Sequence, residues 1–289
     1  QLRKLFSGYK LPKIGHGGTL DPLASGILPI AIGEATKTVP FIMNKSKTYV
    51  FTIQFGVATK SYDLGTKVDE YNNFLPTKAA IKSVLTKFTG NITQQPPVYS
   101  AIKVNGVRAY KLARKNKETT LKYREVTIYN IKLLAYKKKL KAATFIATVS
   151  KGTYIRALAR DIASSLKAIG VISYLRRTCL TSLKQNPLLL SCLLYNSGIS
   201  LTSYLLTIEQ ALDDIPVISF NSKEAKEILN GKTHLLQNGL LNSLQNGVYQ
   251  AKSNNKVFSL LNIVNGNITI LRNFNQLIME ENDVDNYKS

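Results

Sequence analysis

Two short stretches hold side chains able to do covalent chemistry. In GHGGTLDPLASG (15–26), His16 lies among three glycines and Asp21 stands directly before Pro22. Taken alone, Asp-Pro reads as a helix start, with the carboxylate as N-cap and the proline at the first helical position, where its missing N–H is harmless. Three features set a chemical reading beside that one. Gly15, Gly17 and Gly18 free the backbone for close approach to a ligand. Pro22 pushes Asp21 toward extended geometry and so fixes the direction of its side chain. The surrounding chain is poor in acids and rich in cations, and that field keeps the carboxylate ionised, as a nucleophile or base requires. The glycine spacing is not that of a phosphate-cradling loop, because no Lys-Ser/Thr pair follows. A P-loop or dinucleotide-binding protein is disfavoured, since no βαβ pattern follows Gly18 either.

The second stretch is SKGTYIRALARD (150–161). A strand is predicted to end at Ser150, the chain to turn through Gly152, and a helix to begin near Thr153. Tyr154 and Arg156 then sit at the mouth of a strand-turn-helix unit. By themselves they read as a core tyrosine and a solvated arginine. With Asp21 needing an orienting cation, Arg156 becomes a candidate partner and Tyr154 a candidate ring and hydroxyl.

The elements that must position these residues follow from periodicity. Alternating β-branched and aromatic residues predict strands at 47–56, 124–138 and 140–150, the last two joined as a hairpin by a short lysine-rich turn. A helix is expected over 77–88 with Thr77 as N-cap and Gly90 as its close, and a stronger one over 154–170 with Gly170 as its stop. Between them, 94–124 contains little that would pack a core and interleaves Lys103, Arg108, Lys111, Arg114, Lys115, Lys117, Lys122 and Arg124 with Tyr99, Tyr110 and Tyr123. That pattern suits a mobile nucleic-acid-gripping insertion, with cations for phosphates and aromatic faces for unstacked bases, and equally a solvated basic loop. From about 216, short alternating runs at 247–255, 256–264 and 266–274 predict a small β-rich domain, followed by an acidic tail.

Charge narrows the function class. Residues 1–208 hold 32 basic and 8 acidic side chains, whereas 209–289 hold 7 and 9, so the whole formal charge of +22 lies in the first part. Such a field favours a polyanionic partner. A compositional bias toward Lys, Asn and Ile accounts for part of it, but not for the asymmetry. Cys179 and Cys192 have no metal-ligand spacing and only His16 and His234 as companions, so neither a metal site nor a disulfide framework is expected. No run approaches the ~18–20 apolar residues of a membrane helix, and the opening QLRKLFSGYK lacks the apolar core of a signal peptide. A cytoplasmic protein with no membrane partner is the expectation.

In chain order, GHGGTLDPLASGILPIAIGEATK, KTYVFTIQFGVAT, QQPPVYSAIKVNGVRAYKLAR, SKGTYIRALARDIA and YLRRT resemble the motifs of the TruB family of tRNA pseudouridine synthases. The resemblance covers roughly residues 1–215, and the tail ending in ILRNF is more loosely similar to the family's small PUA-like domain. It implies an α+β fold: a central mixed, mostly antiparallel sheet flanked by helices over 1–215, with 94–124 as an RNA-gripping insertion, a β-rich PUA-like domain at 216–275 and a tail at 276–289. It implies isomerisation of the T-loop uridine of tRNA, position 55, to pseudouridine by one essential aspartate, Asp21, without a cofactor. By motif, Tyr49 matches the aromatic that stacks on the flipped uracil, Tyr154 the second pocket tyrosine, and Arg156 the arginine paired with the aspartate. Leu175 matches an apolar wall of the pocket and His16 the histidine near the flipped-out bases. The expected partner is the tRNA T-stem loop, bound by a monomer with no obligate protein partner. Guide-RNA-dependent, dyskerin-like synthases share a His-x-Gly-Thr-Leu-Asp-Pro loop and are the runner-up. An RNA-binding folding helper for tRNA, its chemistry secondary or lost, is the alternative from another class. The chain departs from the family in two places. Members open with a strand carrying a Lys-Pro-x-Gly-x-Ser type motif, whereas this chain begins at Gln1 in what reads as an amphipathic helix (Leu2, Leu5, Phe6, Tyr9), so an upstream segment is expected. After GVAT, the family's TDTDD-like run is here KSYDLGT.

Overall fold

The computed structural model describes residues 13–117, 119–180, 187–191, 204–233 and 244–275. The amphipathic stretch near Gln1, Cys192, His234 and the acidic tail lie outside them. The strands in chain order are β1 (Ile14–His16), β2 (Ala24–Gly26), β3 (Ile30–Ile32), β4 (Lys47–Phe55), β5 (Val57–Thr59) and β6 (Val68–Tyr71). Then come β7 (Gly90–Gln94), β8 (Lys103–Val104), β9 (Val107–Arg108), β10 (Arg124–Lys137), β11 (Ala142–Val149) and β12 (Gly170–Leu180). The last four are β13 (Val217–Ser219), β14 (Gly247–Ser253), β15 (Lys256–Val264) and β16 (Asn267–Asn273). The chain divides into two compact units, one of Gln1–Gly17, Pro29–Ile42 and Ser182–Ser289, the other of Gly18–Leu28 and Met43–Thr181.

The second unit is built on a six-stranded sheet in the order β2-β12-β4-β11-β10-β7. Every pairing in it is antiparallel except β2 with β12. Its two central strands show why the sequence chooses this arrangement. On β4, Phe51, Ile53 and Phe55 point inward, and on β11 so do Ala143, Phe145, Ala147 and Val149, all of them essentially inaccessible to solvent. Phe51 and Phe145 stand opposite each other and stack with centroids 5.3 Å apart. Burying each such ring contributes about 1.5–3 kcal/mol. On the opposite face Thr48 meets Thr148 and Thr52 meets Thr144, each hydroxyl pair 2.9 Å apart.

The small side chains of Ala143 and Ala147 leave room for the helix Ile155–Ser165, whose Ile155, Leu158, Ala159 and Ile162 join the same core. The predicted stop of that helix is corrected by the structure. It ends five residues before Gly170, with Lys167 in the left-handed region (φ 56°) and bonds from Lys167 N–H to Ser164 O and from Ala168 N–H to Ala163 O. That is a Schellman closure with lysine where glycine is usual. Gly170 instead opens β12, because a Cβ there would stand 2.8 Å from Ile53 Cγ2. The helix predicted over 77–88 is present as Lys78–Val84 followed by a 3-10 turn, Leu85–Phe88, and the Thr77 hydroxyl does accept from the Ala80 N–H. The 94–124 stretch packs more than its composition foretold: Ala109 and Leu121 are buried, and Ala109–Arg114 forms a short helix.

In the first unit β1 pairs antiparallel with β3, and β13 to β16 form a four-stranded sheet in sequence order. Its tight connections use Asn254-Asn255 and Asn265-Gly266, all with positive φ, as primed hairpin turns demand. The helix Ser222–Leu229 is an addition to the elements expected from periodicity, although its capping box, Asn221 with Glu224, stands in the sequence. Its Ala225 and Ile228 pack on Tyr249, Ala251, Phe258, Leu261 and Ile263.

Candidate active site

The loop bearing Asp21 forms a turn, not a helix start. The Asp21 carbonyl accepts from the Ala24 N–H at 2.9 Å, Pro22 takes the second position, and the chain runs straight into β2. The carboxylate is therefore not spent on a cap. It receives a bidentate pair from Arg156, Nε to Oδ2 at 2.8 Å and Nη2 to Oδ1 at 3.0 Å. The two side chains are unequally covered: that of Arg156 is 5% exposed, that of Asp21 30%. The guanidinium is a buried anchor, and the carboxylate keeps an open side.

Arg156 leaves little of its donor capacity unused. Nη1 donates to Ser61 O at 2.9 Å and Nη2 also to Tyr99 O at 3.0 Å, so four of the five N–H groups of a guanidinium are engaged. A second carboxylate, Asp63, lies 3.5 Å from Nε and is itself fixed by the Ser61 hydroxyl at 2.6 Å and the Gly65 N–H at 2.9 Å. One buried cation thus faces two carboxylates, and its bidentate grip fixes the direction of the Asp21 side chain. Asp63, Ser61 and the Tyr99 carbonyl were not foreseen. Asp63 is the carboxylate retained in KSYDLGT, and its presence there was the only available signal.

Arg177, from YLRRT, was also missed and is the second organiser. It is 1% exposed and donates from Nε to Ile27 O at 2.7 Å and from Nη2 to Gly18 O at 3.0 Å, closing both ends of the Asp21 loop. Two glycines of this stretch are required by the protein's own packing. Gly26 (φ 107°) lies so close to β12 that a Cβ would fall on the Arg177 carbonyl, and Gly17 leaves the space that Ile42 and Pro29 occupy.

Tyr49 stands opposite Arg177 on the neighbouring strand. Desolvation pushes its phenol up, the Arg177 cation pulls it back, and the Asp21 carboxylate adds to the rise. Leu175 is buried in the main core with Tyr49 packed against that core, and it pairs with Ala24 of β2, three residues beyond Asp21. Tyr154 immediately precedes the helix Ile155–Ser165. Gln94 grips its backbone, taking its N–H at 2.9 Å and donating to its carbonyl at 3.2 Å, while the Arg124 guanidinium lies 4.7 Å from its ring centroid. All of Asp21, Tyr49, Tyr154, Arg156 and Leu175 lie in the second unit: Arg156 grips Asp21, the Asp21 charge reaches Tyr49, and Leu175 pairs beside the Asp21 turn, whereas the contacts of Tyr154 run to Gln94 and Arg124. His16 belongs to the other unit, where it is exposed on β1 and paired with Ile30. Among the described residues no group of three or more His, Cys, Asp or Glu could hold a metal ion, and no helix is long and apolar enough to cross a membrane.

Lys47, at the start of β4, is 8% exposed and donates to Met43 O and Lys45 O. Burial lowers its pKa to about 8, helped by the Arg177 and Lys151 cations. The unfolded lysine holds its proton up to about 10.5, so between about 8 and 10.5 unfolding takes up a proton and stability rises with pH. The wild-type melting temperature minus that of Lys47→Met is expected to increase from pH 8 to pH 10. A difference flat across that range would contradict the assignment.

Over residues 3–155 the sequence matches the family described as TruB family pseudouridylate synthase (N terminal domain). It is 47% identical over 221 residues to the tRNA pseudouridine synthase B of Rickettsia bellii, covering 76% of this chain and 75% of that one. It is 45% identical over 224 residues to that of Rickettsia akari, covering 77% and 76%. Among solved structures, a chain of a Cbf5-Nop10-Gar1 complex superposes with a TM-score of 0.68 at 21% identity, over 94% of this chain and 79% of that one. A chain of an H/ACA RNP bound to a substrate RNA containing 2'-deoxyuridine gives 0.64 at 20% identity, over 96% and 79%. The buried arginine, the carboxylate it aims and the mixed sheet that joins them thus belong to a chain of the TruB family of pseudouridylate synthases.

Proposed function

We propose that this protein isomerises the T-loop uridine of tRNA, position 55, to pseudouridine, with Asp21 as its catalytic residue and no cofactor. The supporting observation is the carboxylate held bidentate by a buried arginine with one side left open. The reaction cuts the N-glycosidic bond, turns the detached uracil and rejoins it through carbon, so it needs an ionised carboxylate of fixed direction and a closed environment for the loose base. The tRNA substrate is inferred from the relatives at 47% and 45% identity, which are tRNA pseudouridine synthases B. In this reading Tyr49 stacks on the flipped base, Tyr154 and Leu175 line its pocket, and His16 stands near the displaced bases. Stacking and phosphate contacts offset the few kcal/mol of unstacking.

Residues 1–215 are read as the catalytic domain, 94–124 as the insertion that grips the T loop, and 216–275 as a PUA-like domain touching RNA further out. Residues 216–275 hold 6 basic and 2 acidic side chains against 32 and 8 in residues 1–208, so the first part is expected to supply most of the affinity. A second reading, guide-dependent synthesis, is favoured by the shared fold of the Cbf5 chains. Incubating the protein with an unmodified tRNA transcript, without guide RNA or partner proteins, and mapping pseudouridine chemically separates the two. Modification of a single T-loop uridine is expected. Product formed only when a guide RNA is added would establish the second reading, and no product under either condition would overturn both.

A further inference from the structure

Arg160 is not used by the site as described, yet it repeats the pattern of Arg156 one helical turn earlier. Residues four apart project from one face of a helix, and here each arginine bridges the same two segments. Arg156 joins the 59–66 loop, through Ser61 O and Asp63, to the 94–99 segment, through Tyr99 O. Arg160 joins the same loop, through the face of the Tyr62 ring at 4.9 Å, to the same segment, through Gln95 O at 3.1 Å. Its Nε is turned aside to Asp161 Oδ1 at 2.7 Å, which orients the guanidinium plane.

Tyr62 is the second observation. It sits between Ser61 and Asp63, the two loop residues that hold Arg156, and its backbone is in the left-handed region at φ 60°. The other non-glycine positions of that kind among the described residues are asparagines and lysines. A bulky aromatic residue does not adopt this conformation by preference, so its surroundings must impose it. The Ile172 N–H holds its carbonyl at 3.0 Å, and Arg160 covers its ring. The left-handed turn directs the Ser61 carbonyl at Arg156 while Asp63 continues into a bridge with Ile172.

We propose that Arg160 and Tyr62 form a positioning clamp: the cation-π contact locks the 59–66 loop onto the helix, so that Ser61 and Asp63 hold Arg156, and Arg156 holds Asp21, in reactive geometry. This rests on the role proposed for Asp21 above. Neither clamp residue touches the reacting atoms. The clamp acts on the chemical step and not on RNA binding.

The test compares Tyr62→Phe, Tyr62→Gly, Arg160→Met and the Tyr62→Gly/Arg160→Met double variant in single-turnover pseudouridine formation on a tRNA transcript, with RNA affinity and melting temperature measured alongside. Tyr62→Gly keeps the backbone conformation at no steric cost and removes only the ring. Tyr62→Gly and Arg160→Met are each expected to slow the chemical step about 10- to 100-fold with affinity within about twofold. Tyr62→Phe should stay near the wild-type rate, and the double variant should be no slower than the worse single one, as for two halves of one contact. Wild-type rates in Tyr62→Gly, multiplying effects in the double variant, or losses carried wholly by affinity would each overturn the clamp. A crystal structure of Tyr62→Gly judges it independently of activity. Displaced Asp63 and Arg156 side chains support it, whereas an unchanged Arg156 bond network overturns it even if the wild-type protein makes no pseudouridine, a result that would sink only the functional reading.

Discussion

Asp21→Asn is expected to lower single-turnover pseudouridine formation by more than about 10⁴-fold, the scale seen when a group that acts on the reacting atoms is removed. The amide has the shape of the carboxylate but no charge, and its NH2 group would face the donors of Arg156 where an acceptor now stands. Nothing on the cation-rich surface changes, so tRNA affinity should stay within about threefold, because the phosphate contacts that dominate it are untouched. Quantitative binding beside the single-turnover assay gives both numbers. Normal turnover in this variant would remove Asp21 from the chemistry and leave the protein as an RNA binder.

Arg156 carries the second large effect, and it has two parts. Its guanidinium satisfies two backbone carbonyls and faces two carboxylates, so Arg156→Ala leaves Asp63, 6% exposed, without its cation. Removing one partner of a buried ion pair costs about 3–5 kcal/mol, and a clear drop in melting temperature should follow. Lost stability alone would not prove a role in the reaction. Arg156→Lys separates the parts: the ammonium keeps a charge near both carboxylates but not the planar fork that grips both Asp21 oxygens. It is expected to fold and to lose about 10²–10³-fold in turnover, the cost of removing one preorganised electrostatic contact. Wild-type turnover in Arg156→Lys would show that charge alone suffices and that bidentate aiming does not matter.

The strands at 47–55, 124–137 and 142–149 and the Thr77 cap were legible because each depends on neighbours along the chain: alternation sets which face is buried, and one hydroxyl meets an N–H three residues on. The failures share a cause. Gly170 looked like a helix stop because glycine usually is one, but the requirement there is space for Ile53 on another strand. Asp-Pro looked like a helix start, but Arg156, 135 residues away, claims the carboxylate. In the 94–124 stretch composition hid the burial of Ala109 and Leu121 among others and a backbone carbonyl, that of Tyr99, which serves the site.

Local sequence therefore settled which residues were candidates: an aspartate fixed before a proline in a glycine-rich stretch, an arginine and a tyrosine at the start of a helix, and a field of positive charge. It did not settle what aims them. Arg177 tying both ends of the Asp21 loop, Asp63 sharing Arg156, and Arg160 lying on Tyr62 are contacts between segments far apart in the chain. Periodicity reports which face of an element is buried, but not which partner it meets there. That partner is chosen only when the sheet order β2-β12-β4-β11-β10-β7 brings the strand ends together and burial makes an unpaired charge too costly to leave.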